Sequence, residues 1–389
     1  MSYNKLAVIH SYPIWLPQTQ TWMHTQVREL QRRGVETHIV CEKTINLDQF
    51  GVVNIHCIAE ESIWERSWDQ WLRKLRVRRH LNYLVKIGRE TSAQIIHSHF
   101  GNVGWVNLGA ARKLDAKHVV TFYGYDVNKT PKQEPIWRVR YRQMFEEATL
   151  FLCEGTHMAQ RLQELGCPKS KVQVQHLGVD LDQISFEPRR WSGDEPLKVL
   201  IAASFKEKKG IPYAIEALAQ IRSEIPVEVT IIGEAGEDRE SQAEKSAILN
   251  AIARTGLDDC TRLLGYQSHA RLFEEAYRHH VFLHPSVTAN DGDTEGGAPV
   301  VIIEMLATGM PVVSTRHCDI PEVMGELSNT LLAPERDVDA LAKILRTLLS
   351  SRAEWASLMA MSRKHLHNEY EQSAMAGRME DLYRSCLHS

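Results

Sequence analysis

Residues 281–321 read VFLHPSVTANDGDTEGGAPVVIIEMLATGMPVVSTRHCDIP, and the order of elements inside them decides the fold. Val281 to His284 is a run of buried-strand type that Pro285 ends. A polar loop carrying Asp291, Asp293 and Glu295 follows, then Gly296, Gly297, Ala298 and Pro299. Proline is favoured in a helix's first turn, where its missing N–H would have no partner. The spacing predicts a helix over Pro299 to Ala307, ended by Gly309, with Pro311 preventing its continuation. Pro311 to Ser314 is the next strand. Strand, loop, helix and strand within about 35 residues make a parallel crossover unit.

The loop then lies at the carboxyl end of a strand, where open α/β sheets bind ligands. Two glycines let the backbone approach a ligand, and the N–H groups of the helix's first turn suit a phosphate or a sugar hydroxyl. Glu304 falls mid-helix among apolar residues, and a carboxylate buried there needs a partner. Taken singly, Glu295 reads equally as a helix cap and Glu304 as a surface residue; the combination is what points to a site.

Glu295, Gly296, Pro299, Glu304, Gly309, Pro311, Val312 and Val313 together resemble the signature of the retaining family-four glycosyltransferases of GT-B fold. That signature is a Glu, a Gly-containing turn, a Pro, an apolar helix with a second Glu, then Gly-x-Pro-Val-Val. Two details differ: the gap between the glutamates is one residue longer here, and GGAP replaces G-x-P. The resemblance implies an α/β chain with two Rossmann-like domains whose parallel sheets face across a cleft. It places the acceptor-side domain at 1–182 with a C-terminal helix (about 365–389) crossing back to it, and the donor domain at 197–360.

Outward from the central stretch, Val199 to Ala203 is a strand followed by SFKEKKGIPYAIEAL. Family members have Gly-Arg and then Lys-Gly before a helix, and their Arg and Lys hold the donor diphosphate. Lys209 matches the Lys; Ser204 stands at the Arg position, with Lys206 or Lys208 as replacements for the charge. Standing alone, the segment would read as a solvated basic turn. Val227 to Ile232 with GEAG after it resembles the family's Ile-Gly-x-Gly turn, and Gly265-Tyr266 ends a strand where relatives read the base. Residues 237–256 read as a polar helix. The implied donor set is Ser204, Lys208, Lys209, Tyr266, Glu295, Gly296, Gly297, Ala298, Pro299 and Glu304.

In the first half, Leu6 to His10 is a strand, Tyr12 to Thr21 a loop, Trp22 to Arg33 a helix and Thr37 to Cys41 a strand. No GxGxxG occurs, so a dinucleotide fingerprint is absent. Relatives place acceptor-binding groups in the first loop, where Gln18 and Thr19 are the polar candidates beside a plain turn reading. QIIHSHF and TFYGYD resemble the family's His-x-His-Phe-Gly and Thr-Phe-His-Gly-x-Asp strand ends. Tyr123 stands where many members have a histidine near the reacting sugar. His99 and Asp126 are the nearest polar candidates for catalysis, with Glu295 toward the sugar; Asp126 reads equally as a turn residue. His97 and His99 share a strand face, which as a pair makes no metal site. Residues 182–196, charged and carrying Pro188 and Pro196, are the expected interdomain linker.

Residues 64–89, WERSWDQWLRKLRVRRHLNYLVKIGR, hold eight Lys/Arg against two acids, a charge of +6. Trp64, Trp68, Trp71, Leu72 and Leu75 recur at helical spacing. A basic helix carrying tryptophans lies on an anionic membrane surface, or packs its aromatics inward as any core helix does.

A length of 389 residues exceeds what one small core needs and points to two domains. Hydrophobic content of 43% with 24% charged residues is that of a soluble globular chain, and a net charge of −3 argues against a nucleic-acid partner. Seven cysteines without CxxC or zinc spacing suit the reducing cytoplasm. The opening MSYNKLAVIHSYP is not of signal-peptide type, and no run approaches the ~20 apolar residues of a membrane span.

The expected activity is hexose transfer with retention from a nucleotide-sugar donor, UDP- or GDP-linked, to a glycan or lipid-linked acceptor in cell-surface polysaccharide synthesis. The setting is cytoplasmic, with a peripheral place on the inner membrane face. Asp291, Asp293 and Glu295 do not follow the calcium-loop pattern, and the resemblance implies neither metal nor other cofactor. Two rivals share the residues: a nucleotide-sugar epimerase of the same fold, and a non-catalytic nucleotide-sugar-binding protein.

Overall fold

The computed structural model describes residues 5–17, 20–75 and 79–388. The chain divides into two compact units, one running to Asp180 and taking up the chain again from Tyr370, the other formed by Leu181–Glu369.

Among the described residues the first unit holds seven strands: β1 (Ala7–Trp15), β2 (Glu36–Thr44), β3 (Ile55–Cys57), β4 (Ile95–His99), β5 (Lys117–Thr121), β6 (Leu150–Cys153) and β7 (Val172–Val174). They form one parallel sheet in the order β3-β2-β1-β4-β5-β6-β7. Both faces of the sheet are covered, and β4 and β6 are buried throughout, β6 as an apolar run and β4 with His97, Ser98 and His99 buried among its residues. The order reverses between β1 and β4, so the crevice beyond their carboxyl ends is where such a sheet receives a ligand.

β1 is longer than the sequence reading. It continues through Tyr12 to Trp15, pairing Tyr12 with Cys41, Ile14 with Lys43 and Trp15 with Thr44 of β2. Pairing to β4 stops at Ser11, so Pro13 lies where β1 has one neighbour and a missing N–H is tolerated. Buried Tyr12, Trp15 and Leu16 pack with Met23, Val27 and Ile39, and this burial extends the strand.

The described part of residues 64–89 holds two helices, Ile63–Lys74 and Asn82–Glu90. The inward-packing reading of the tryptophans does not hold: Trp64, Trp68 and Trp71 are exposed. The helix Gln372–His388 belongs to the first unit, where Met379, Tyr383 and Cys386 pack on Leu6, Val8, Ile95 and Val119. The Val179 N–H donates to Tyr370 O (2.8 Å) and the Gln372 N–H to Val179 O (3.0 Å). A Cβ on Gly178 would sit 2.7 Å from the Gln372 Cα, so this crossing requires glycine.

The second unit holds β8 (Leu197–Ala202), β9 (Val227–Ile232), β10 (Thr261–Leu263), β11 (Val281–His284), β12 (Val312–Thr315) and β13 (Leu332–Ala333). They too form a parallel sheet, in the order β10-β9-β8-β11-β12-β13. The reversal falls between β8 and β11. The central helix is Val300–Ala307, with Pro299 just before it rather than inside it.

The expected linker is part of this unit. The Glu187 N–H donates to Thr308 O and the Arg189 N–H to Gly309 O, each at 2.9 Å. Arg189 is buried and donates to the main-chain oxygens of His279 (3.1 Å), Ala276 (3.0 Å) and Thr308 (3.2 Å). Gly309 therefore does two jobs: it takes φ +85° after the helix, and a Cβ there would lie 2.7 Å from Pro188 N. Among the described residues no helix is long and apolar enough to cross a membrane. All seven cysteines are free thiols.

Candidate functional site

In the second unit the loops after β8 and β11 meet at the sheet's reversal. The turn Glu207–Lys209 leads into Gly210, whose φ of +62° and close approach to Pro285 O exclude any side chain. That contact brings the two loops together. The Lys209 ammonium lies 2.8 Å from Glu295 Oε2, with side-chain exposures of 15% and 6%. Lys208 Nζ lies 3.3 Å from Asp293 and donates to Thr294 O (2.8 Å).

Glu295 is held at its other oxygen as well. Ser286 Oγ donates to Oε1 (2.9 Å) and lies 3.0 Å from His284 Nδ1. With its one proton given to the carboxylate, the hydroxyl accepts from His284, which fixes the Nδ1–H tautomer there. The Glu295 N–H donates to His317 Nε2 (3.1 Å), and His317 Nδ1 donates to Glu335 Oε1 (2.6 Å). Burial opposes the charge on Glu295, but the ammoniums of Lys209 and Lys208 outweigh it and hold the carboxyl well below its usual range. Burial lowers Lys209, and the Glu295 carboxylate acts against that lowering. Burial, with Lys209 nearby, lowers His284 to about 4.

Past Glu295, Gly296 turns at φ +82°, its N–H donating to Thr294 Oγ1 (3.1 Å). Gly297 O accepts from the Asp319 N–H, and Ala298 and Pro299 carry the chain to the helix start, where the first N–H groups precede any intrahelical partner and the Ile302 N–H donates to Pro299 O (2.9 Å). Glu304, one turn inside, is buried and lies 2.8 Å from His269 Nε2. That hydrogen bond raises His269 against a smaller effect of burial. Ser204 is half-buried after β8, and Tyr266 is exposed after β10. The structure thus joins Lys209 to Glu295 directly, sets Lys208 on Asp293 and Thr294 O beside them, and pairs Glu304 with His269.

In the first unit the ends of β1, β4 and β5 carry buried imidazoles. His99 Nδ1 meets Tyr123 Oη at 2.5 Å, and His99 Nε2 meets His10 Nδ1 at 3.0 Å. Tyr123, His99 and His10 so form one hydrogen-bonded chain from a half-buried phenol inward. Burial holds His10 at about 3 and His99 well below its usual value, and it raises Tyr123 well above. His97 lies 2.6 Å from both Tyr383 Oη and Thr121 Oγ1. His10, His97 and His99 offer nitrogens within 4.8 Å of one another. The His97 and His99 rings stack at 4.1 Å and their nitrogens meet Tyr, Thr and His partners, which is the geometry of a packed hydrogen-bonded core.

Asp126 is buried, and both its oxygens take main-chain N–H groups: Gly101 at 2.7 Å and Tyr123 at 3.0 Å. Burial pushes its carboxyl up to about 6 against those bonds. It clamps the turns after β4 and β5 together. Gln18 and Thr19 lie outside the described residues. Sequence reasoning missed His269, His284, Ser286, His317 and Arg189. Their types are common, and only the β8, β11 and β12 ends brought side by side reveal what they hold.

Two family models match this chain: "Glycosyltransferase Family 4" over residues 19–183 and "Glycosyl transferases group 1" over residues 196–351. The chain is 33% identical to the amylovoran biosynthesis glycosyltransferase AmsK of Erwinia amylovora over 72% of its own length and 67% of that protein's. It is 30% identical to the putative colanic acid biosynthesis glycosyltransferase WcaL of Escherichia coli K12, over 75% and 71%. Among solved structures, Anabaena HepE in complex with UDP superposes with a TM-score of 0.77 over 98% of this chain and 100% of that one, at 15% identity. That likeness, at such identity, concerns the fold, which is GT-B.

Proposed function

Because the chain belongs to the group 1, family 4 glycosyltransferases, it is a glycosyltransferase, and we propose that it moves a hexose with retention from a nucleotide-sugar to a growing exopolysaccharide. The observation that carries the donor reading is the Lys209–Glu295 pair at the β8/β11 reversal, beside the start of the helix Val300–Ala307. Transfer builds negative charge on the departing diphosphate. An ammonium held in place and the helix's first N–H groups stabilise that charge without reorganising. Glu295 keeps Lys209 charged and aimed, and it presents its carboxylate to the sugar hydroxyls. Glu304, oriented by His269, accepts from the ribose.

A uridine donor has support from HepE, solved with UDP and with UDP-glucose. The acceptor class follows AmsK and WcaL, named for amylovoran and colanic acid biosynthesis, and is a glycan or lipid-linked glycan. On the acceptor side, Tyr123 supplies the polar group at the end of β5, steadied through His99. Attack comes from the face the diphosphate leaves, with the leaving phosphate taking the acceptor proton. No metal is assigned a step. The place of work is the cytoplasmic side, on the inner face of the membrane.

The deciding experiment incubates the purified protein with labelled UDP-glucose, UDP-galactose and GDP-mannose, with and without a lipid-linked glycan acceptor. Transfer with the donor's anomeric configuration kept in the product is expected. An epimerised nucleotide-sugar would replace this reading with the epimerase. Donor binding without product from any acceptor would replace it with the binding protein, and an inverted linkage would refute retention.

A further inference from the structure

The helix Ile63–Lys74 is built inside out. Trp64, Trp68, Trp71 and Leu75 follow one another at four- and three-residue steps, so they form a single stripe. That stripe faces away from the unit: the tryptophans are 86%, 61% and 49% exposed, and Ile63 and Leu75 are exposed with them. The opposite side, which a soluble helix would turn to water, holds the polar anchors. Asp69 is 3% exposed, and its Oδ1 accepts the Asn82 N–H (2.8 Å), the start of the next helix. Arg73 reaches Asp69 (3.2 Å) and Glu42 (3.0 Å), and Arg66 donates to Ala59 O (2.9 Å). The helix is thus fastened by its charges with its aromatics outward, the reverse of the ordinary amphipathic arrangement.

A second set of aromatics adjoins its C-terminal end. Arg79, four residues past Leu75, lies over the Trp105 ring at 3.9 Å. Arg140 lies over Trp105 and Trp137, each at 4.5 Å. Ile136 and Val139 on the same helix as Trp137 are exposed. Cations stacked on ring faces keep their charge and shed part of their water.

We infer that this face, centred on Trp64, Trp68 and Trp71 and bordered by Lys74 and Arg79, docks the protein on an anionic lipid surface. The inference deepens the membrane placement in the proposed function by naming the part that touches it. Tryptophan partitions to the headgroup region, and basic side chains near an anionic leaflet add attraction that salt screens. A second copy of the chain is the competing occupant. A two-fold contact sets the same patch against itself, so its cationic border would face another border of the same sign. Anionic phospholipid supplies the missing charge.

Sedimentation with phosphatidylcholine vesicles, with and without phosphatidylglycerol, tests this at low and high salt. The wild-type chain should sediment with the anionic vesicles at low salt and be released at high salt. Lys74→Gln with Arg79→Gln should weaken binding about 25-fold, each charge contributing about fivefold. Trp64→Ser with Trp68→Ser should abolish it while the melting temperature stays unchanged, because both rings are exposed. Arg73 is left alone, since it fastens the helix. Failure to bind anionic vesicles overturns the inference, as does dimerisation that the tryptophan variant abolishes without lipid binding. Donor turnover with a water-soluble acceptor, measured on the same variants, should be unchanged. Loss of lipid binding with turnover intact separates this inference from the transferase reading.

Discussion

Replacing Glu295 with Gln and Lys209 with Met, singly and together, tests whether the buried pair works as a unit. At 2.8 Å and an effective dielectric of about 20, the attraction between the two charges is about 6 kcal/mol. Desolvation offsets part of it. What a single replacement removes is larger than the pair's net worth, because it strands the other charge in a site where the side chains are 15% and 6% exposed. Breaking a buried pair from one side costs about 3–5 kcal/mol. For a unit of this size that is a fall in melting temperature of roughly 6–20 °C. The double variant strands neither charge, so its loss should fall short of the summed single losses by at least about 2 kcal/mol. Thermal denaturation of all four proteins gives the coupling. Additive losses would refute the claim that Glu295 keeps Lys209 ionised. The sign of the pH dependence is set by Glu295: its folded value lies well below the ordinary carboxylate value of about 4.3. Its contribution is complete above about pH 4.3 and lost only as pH falls toward the depressed value, so the same coupling should be found at pH 7 and pH 5.

Two further variants address the neighbouring carboxylates. Asp126→Asn keeps the shape but turns an NH₂ group toward one of the two N–H groups the carboxylate now accepts; it should cost about 1–3 kcal/mol in denaturation and leave UDP affinity unchanged. Unchanged stability would show that Asp126 is not the clamp between the β4 and β5 ends. Glu304→Gln removes a charged acceptor and should weaken UDP binding at least tenfold by titration calorimetry, the worth of about 1.5–3 kcal/mol for a hydrogen bond to a charged group; full affinity would take Glu304 out of the donor site.

The stretch 281–321 was legible because its signals are local. Pro285, Pro299, Gly309 and Pro311 punctuate it within a few residues, and β11, the helix Val300–Ala307 and β12 follow that punctuation. The reach of β1 was not legible, since Pro13 argues locally against a strand. What overrides it is the burial of Tyr12 and Trp15 against residues brought from the helix Thr21–Arg32 and β2. The tryptophan helix shows the limit of periodicity: spacing places the aromatics on one stripe but does not say which way the stripe faces. That is decided by Asp69 and its bond to Asn82 N, a contact no pattern announces.

The same limit governs the charge at Ser204. In sequence, Lys208 is an available substitute for the arginine that relatives carry there. In the structure its ammonium is taken up by Asp293 and Thr294 O, while Lys209 faces Glu295, so the two loops bring together two cations and two anions. A diphosphate arriving at this site meets a locally neutral cluster rather than a surplus of positive charge. On the proposed donor reading, its attraction would come from the partial charge of the N–H groups at the start of the helix Val300–Ala307 and from rearrangement of the lysine pairs. Under the proposed donor reading, Gly296 and Gly297 before that helix would let the donor's phosphates come close enough to touch the backbone, where little net charge acts at a distance.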